Sequence, residues 1–192
     1  GARRRYVTDQ TWLYDTALRG LSEAGQPLWE IQHKLGEESH GWALAPHPDG
    51  SLRDARRHRL SQCRHLAVIR FDGPLFFANS SYLEDQITDR MQAKPNLKHI
   101  LIVANGINDM DASGEEILSL LVDRVRSAGV DLSFSGVNES VMKVLKRTYL
   151  IAKIGEDHLY PTMEKAISSI HTGAHVDSRE VACPLTTVCR LA

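Results

Sequence analysis

The sequence predicts an α/β fold in which a small mixed sheet packs against helices, preceded by a mostly helical N-terminal appendage. Three observations predict it. From His65 onward, short apolar runs alternate with stretches of helical period. The run His99-Ile100-Leu101-Ile102-Val103-Ala104 is apolar almost throughout, as a central strand covered on both faces requires. The opening 62 residues lack that alternation and hold all three tryptophans, Trp12, Trp29 and Trp42. The expected division is therefore an appendage or linker over 1–62, a domain over 63–171 and a flexible tail over 172–192.

In the appendage, Leu13, Ala17, Leu18 and Leu21 recur at helical spacing, and the segment from Pro27 to Leu35 suits a second short helix stopped by Gly36. Ala45-Pro46-His47-Pro48-Asp49-Gly50 reads as a turn. Arg53, Arg56, Arg57, His58 and Arg59 then form a basic run. A run of this kind is ordinarily a solvated face; the alternative is a strip facing anionic lipid headgroups.

The domain opens with the apolar run 66–71, the turn signal Asp72-Gly73 and a second strand over 74–77, which together predict an antiparallel hairpin. Asn79 or Ser80 then caps a helix whose apolar face carries Tyr82 or Leu83, Ile87 and Met91. After the central strand, Ile117, Leu120, Leu121 and Val125 predict the core face of a helix that stops near Gly129. A strand over 130–135 follows, then a helix capped by Asn138 or Ser140 and bearing Val141, Val144 and Leu145. A short element through Leu150 and Ile154 leads to a last helix that Pro161 starts and that carries Met163, Ala166, Ile167 and Ile170.

A formal net charge of -1 leaves no domain-wide basic surface, so nucleic acid is excluded as the default partner. No apolar stretch approaches the roughly 20 residues of a membrane-spanning helix. Cys63, Cys183 and Cys189 are odd in number, widely spaced and without a C-x-x-C pair, which suggests neither a disulfide framework nor a zinc site. Among the nine histidines there is no H-E-x-x-H pair. Neither a G-x-S-x-G elbow nor a phosphate-loop motif is present, so no catalytic residue, metal site or cofactor is expected.

The informative segment is Ile107-Asn108-Asp109-Met110-Asp111-Ala112-Ser113-Gly114-Glu115-Glu116, between a buried strand and an amphipathic helix. Open α/β sheets place ligands at this carboxyl edge, and outward-pointing amides there suit an anion. Asn105, Asn108, Asp109, Asp111, Ser113 and Gly114 are the candidate ligand- or partner-binding residues. Ser113-Gly114-Glu115-Glu116 also spells a capping box, in which Ser113 does no more than cap the helix.

Asp111-Ala112-Ser113-Gly114 resembles the D-x-S-G signature of STAS domains, whose serine is the phospho-acceptor in anti-sigma-factor antagonists. Residues 69–79 resemble the opening of the C-terminal STAS domain of SulP-type sulfate and anion transporters, and residues 141–147 and 154–158 resemble its closing half. The resemblance covers about 110 residues. It implies a non-catalytic regulatory module on the cytoplasmic side of a transporter. The implied partners are the transporter's own membrane domain and a regulatory protein or a nucleotide. The alternative is a soluble phospho-switch acting through Ser113. Glu115 and Glu116 depart from the antagonist pattern, which has small or apolar residues there. They favour the helix dipole but repel a phosphate on Ser113, which tilts the reading toward the transporter type. Dimerisation through residues 1–62 is compatible with the pattern and not compelled by it.

Overall fold

The computed structural model describes the backbone of residues 3–7, 11–21, 27–34, 40–49, 51–176, 178, 180 and 182–189, with side chains from residue 43 onward apart from 77 and 78. Strands β1 (Arg3–Val7), β2 (Thr11–Leu21) and β3 (Pro27–Lys34) form a three-stranded antiparallel sheet. The expected helices of the appendage are thus corrected to strands. The same segment also carries a period of two, Trp12, Tyr14, Thr16 and Leu18, in residue types that favour strands, and cross-strand pairing settles the competition.

The second sheet has six strands in the order β5-β4-β6-β7-β8-β9. Its members are β4 (His40–Pro46), β5 (Leu52–Asp54), β6 (Leu66–Asp72), β7 (His99–Gly106), β8 (Asp131–Ser135) and β9 (Leu159–Tyr160). The strands from β6 to β9 run parallel, whereas β4 is antiparallel to both β5 and β6. Residues 40–54 therefore belong to this sheet by hydrogen bonding, although they lie before the expected start at 63. Of the turn signal at 45–50, Ala45 and Pro46 end β4, residues 47–49 lie between β4 and β5, and Gly50 lies outside the described residues. In the basic run, Arg53 pairs with Asp49 at 2.5 Å, and Arg57, His58 and Arg59 are exposed.

Helices α1 (Phe77–Ala93), α2 (Ala112–Ser127), α3 (Glu139–Arg147) and α4 (Leu150–Ile154) cover one face of this sheet. A 3-10 turn over Glu156–His158 leads into β9. The other face is covered by α5 (Met163–Ala174) and α6 (Thr186–Cys189). Strand alternation divides β7 between the layers. Ile100 and Ile102 pack with Leu83, Ile87, Leu121 and Val125, while Leu101 and Val103 pack with Ala166, Ile167 and Ile170. In the described part of the tail, Leu185 and Val188 complete the second layer.

Two local expectations are corrected. The hairpin after Gly73 does not form: Leu75 makes only a single parallel bridge to Met110, and α1 starts at Phe77. Pro74 offers no amide to a ladder. The Asn79 side chain accepts the Phe76 amide at 2.9 Å, so Asn79 acts three residues inside the cap position. The antiparallel partner of β6 is β4 instead. Leu120, placed on the core face by its spacing, is 59% exposed, and the buried positions of α2 are Gly114, Leu118, Leu121, Val122 and Val125. A helix with apolar residues at both 120 and 121 leaves its phase ambiguous by one position, and packing against β7 and α1 selects Leu121.

Leu121→Asp is expected to abolish the cooperative thermal transition, because it buries a charge and removes a core side chain, a loss of about 2–5 kcal/mol before the charge is counted. Leu120→Asp is expected to melt within about 0.5 kcal/mol of the parent. Circular dichroism melts of the two variants check both; a reversed order would place the helix face wrongly.

Candidate functional site

The candidate residues converge at the carboxyl end of β7, where the chain leaves the sheet and re-enters as α2. Asn105, Asn108, Asp109 and Asp111 are exposed, Ser113 is half-buried and Gly114 is buried. The segment is tied on two sides. Toward α1, Gly73 donates to the Gly106 carbonyl (3.0 Å), Leu75 donates to the Asp109 carbonyl (2.9 Å), and Asp111 donates back to the Leu75 carbonyl (3.3 Å). Toward α3, the Asn138 side-chain amide donates to the carbonyls of Asn105 (3.1 Å) and Ile107 (2.8 Å), and the Ser140 hydroxyl donates to that of Asn108 (2.8 Å). Asn138 and Ser140 were legible as helix-start residues, but their hold on this loop, some 32 residues away, was not.

The helix cap differs from expectation. Asp111, not Ser113, is the N-cap of α2, and its carboxylate accepts the Gly114 amide at 2.7 Å. Ser113 lies in the first turn, so the Ser113-x-x-Glu116 capping box does not form. Both D and S of the motif are cap-forming residues, and the aspartate, two residues closer to the strand, takes the role. The amides of Ile107, Met110, Asp111, Gly114 and Glu115 all have partners within the chain. A carboxylate already occupies the positive end of α2, and Asp109, Glu115 and Glu116 surround it, so this edge is acidic and poorly suited to an anion.

Gly114 explains the glycine of the motif. A Cβ there would lie 2.1 Å from the Leu75 carbonyl oxygen, so α2 can approach the 74–76 segment only without a side chain. One turn and a half further on, Leu120 stands exposed on the outward side of the helix. Ser113, Glu116 and Leu120 follow the helical repeat and share that side.

At the opposite, amino edge of the sheet, Asp131, His158, Arg126 and Lys153 border an open depression. Their charges are mutually engaged. His158 Nε2 meets Asp131 at 2.7 Å, Arg126 Nε meets Asp131 at 3.2 Å, and Lys153 Nζ meets Asp123 at 2.6 Å. Beneath them His99 bonds to the Ser133 hydroxyl at 2.8 Å, and burial pushes its pKa down to about 4. This is a structural network rather than a ligand site.

A second constellation lies beneath α5. Here Cys63, His175, Glu180 and Cys183 bring one ligand atom each within 4.8 Å of one another, a set that could hold a metal ion. Spacing could not reveal it, since Cys63 stands 112 residues before His175.

With the fold and both constellations in place, the family can be assigned. The STAS domain family model matches residues 59–166, more than half of the chain. The chain belongs to the STAS domain family. Among curated relatives, this STAS domain is 26% identical over 128 residues to sulfate transporter 3.2 of Arabidopsis thaliana, covering 62% of the chain and 20% of that protein. It is 23% identical over 120 residues to high affinity sulfate transporter 2 of Stylosanthes hamata, covering 58% and 18%. The chain thus spans about a fifth of the length of these relatives. Among solved structures, the STAS domain of a SulP transporter from Vibrio cholerae is 26% identical, with a TM-score of 0.51 over 62% of this chain and 91% of that one. The murine solute carrier 26 family member A9 anion transporter shares the fold, with a TM-score of 0.60 at 16% identity over 70% of this chain and 22% of that one. Among the described residues, no helix is long and apolar enough to cross a membrane.

Two outcomes check this geometry. Gly114→Ala is expected to lower stability by about 1–3 kcal/mol in denaturant titration through collision with the Leu75 carbonyl; an unchanged midpoint would contradict that close approach. For His99, the folded pKa lies below the unfolded value of 6.5, so the unfolded chain takes up the extra proton. The stability it contributes is complete above pH 6.5 and falls, by roughly 3 kcal/mol, as pH drops toward about 4. His99→Gln should flatten that part of the stability profile, and an identical pH profile for the variant would contradict the buried, neutral histidine.

Proposed function

We propose that this STAS domain is the cytoplasmic-side regulatory and docking module of a SulP-type sulfate or inorganic anion transporter, and that it performs no catalysis itself. The carrying observation is the edge formed by residues 105–114 with the outward side of α2. It is held from α1 and α3 and presents Asn105, Asn108, Asp109 and Asp111 to solvent, and Leu120 stands exposed further along α2. An acidic, pre-ordered edge with an exposed leucine further along the same helix suits a protein surface with complementary positive charge. The transporter's own membrane domain is the partner that the relatives' names support. Their greater length leaves room for it.

The phospho-switch reading through Ser113 is weakened by its setting, because a phosphate on Ser113 stands among Asp111, Glu115 and Glu116. A nucleotide fits the loop less well than a protein does, since its phosphates meet the same carboxylates and amides that are already bonded.

In the parent transporter, Leu120→Asp and Ser113→Glu are expected to lower sulfate uptake into membrane vesicles several-fold at equal membrane abundance, without unfolding the domain. Uptake equal to the parent in both variants would overturn the docking role of this edge.

A further inference from the structure

We propose that Cys63, His175, Glu180 and Cys183 form a structural zinc site that pins the C-terminal arm to the segment entering β6. The donor set is two thiolates, one imidazole and one carboxylate, a closed four-ligand complement of the kind zinc takes without leaving an open position.

The spacing of the donor atoms matches a tetrahedron. With zinc–sulfur bonds of about 2.3 Å and zinc–nitrogen or zinc–oxygen bonds of about 2.0–2.2 Å, the edges of the polyhedron measure roughly 3.4–3.8 Å. Cys63 Sγ lies 3.4 Å from His175 Nε2 and 4.0 Å from a Glu180 carboxylate oxygen, and that oxygen lies 3.5 Å from His175 Nε2. Cys183 completes the set within the 4.8 Å span.

The surroundings orient each ligand as metal sites do. His175 Nδ1 lies 2.7 Å from the His171 carbonyl oxygen, which can only accept, so Nδ1 carries the proton and Nε2 offers its lone pair to the centre. The His171 ring stacks on the His175 ring, with centroids 4.0 Å apart, and holds its plane. Cys63 Sγ accepts the backbone amides of Leu66 (3.2 Å) and His65 (3.4 Å), an arrangement that stabilises a thiolate. Ser178 bonds to His65 at 2.7 Å and accepts the Glu180 amide at 3.0 Å, fixing the turn that delivers the carboxylate.

Charge balance points the same way. The Glu180 side chain is only 11% exposed, its carboxylate lies 3.5 Å from His175 Nε2 and 3.9 Å from His65 Nε2, and the Lys94 ammonium donates to the Cys63 carbonyl at 2.8 Å, so two thiolates and this carboxylate would need a divalent counter-charge. A divalent ion together with Lys94 neutralises the group. The site joins residues 112 and 117 positions apart, so it fastens a short arm, with α6 buried against the sheet, to the entrance of the domain.

The test is elemental analysis of the 192-residue chain purified under reducing conditions, with the C63S/C183S double variant and the C189S variant beside it. About one zinc per chain is expected in the parent and in C189S, and a near-complete loss in the double variant. Because the double variant can fail to fold, cobalt(II) is also titrated into the chelator-stripped parent. Intense tetrahedral bands with thiolate charge transfer, saturating at about one equivalent, support the site. Zinc at background in the parent with no such bands, or a Cys63–Cys183 disulfide found by mass after alkylation, would overturn it.

Discussion

The burial of β7 on both faces is the constraint on which the rest of the structure depends. Ile100, Leu101 and Ile102 are fully inaccessible, with two side chains given to the layer of α1 to α4 and the third to the layer of α5 and α6. A strand with no solvated face has no alternative register, because a slip of one residue exchanges its two layers. Each such side chain removed from water contributes about 1.5–3 kcal/mol, enough that a few of them outweigh any surface ion pair in the molecule. The parallel partners β6 and β8 are fixed by this strand, and so are the helices that cross over between them.

That constraint positions the candidate site. Where β7 ends at Gly106, the chain is caught between the Gly73–Leu75 backbone on one side and Asn138 and Ser140 on the other, and Asp111 turns it into α2. The loop's polar backbone is largely consumed by holding itself. What it offers outward is carboxylates and amide side chains. At the far side of the sheet, the Cys63 to Cys183 cluster does the corresponding work for the chain ends, tying the arm after α5 to the entrance of β6.

The layers, the central strand and the D-x-S-G motif were legible because they rest on local signals: an unbroken apolar run, helical period and cap-forming residues. The errors lay where two local signals competed. Residues 11–21 carry both helical and strand periods, and pairing with β1 and β3 chose the strand. Leu120 and Leu121 are equivalent in pattern, and only packing distinguishes them. Asp111 and Ser113 are both good caps, and the position at which the chain leaves Met110 decides for the aspartate. The cysteine cluster left no sequence signal because its members meet only after the whole domain has closed.

The central claim is that the edge at residues 105–114 is a self-satisfied, acidic docking surface. Its most direct test is a heteronuclear NMR titration of the labelled chain with guanine and adenine nucleotides, following the amides from Asn105 to Glu116. The account predicts no saturable shift at these amides with either nucleotide, because those of Ile107, Met110, Asp111, Gly114 and Glu115 are bonded within the chain and the acidic edge repels phosphate. Saturable shifts confined to that loop would contradict it and make the edge a nucleotide sensor.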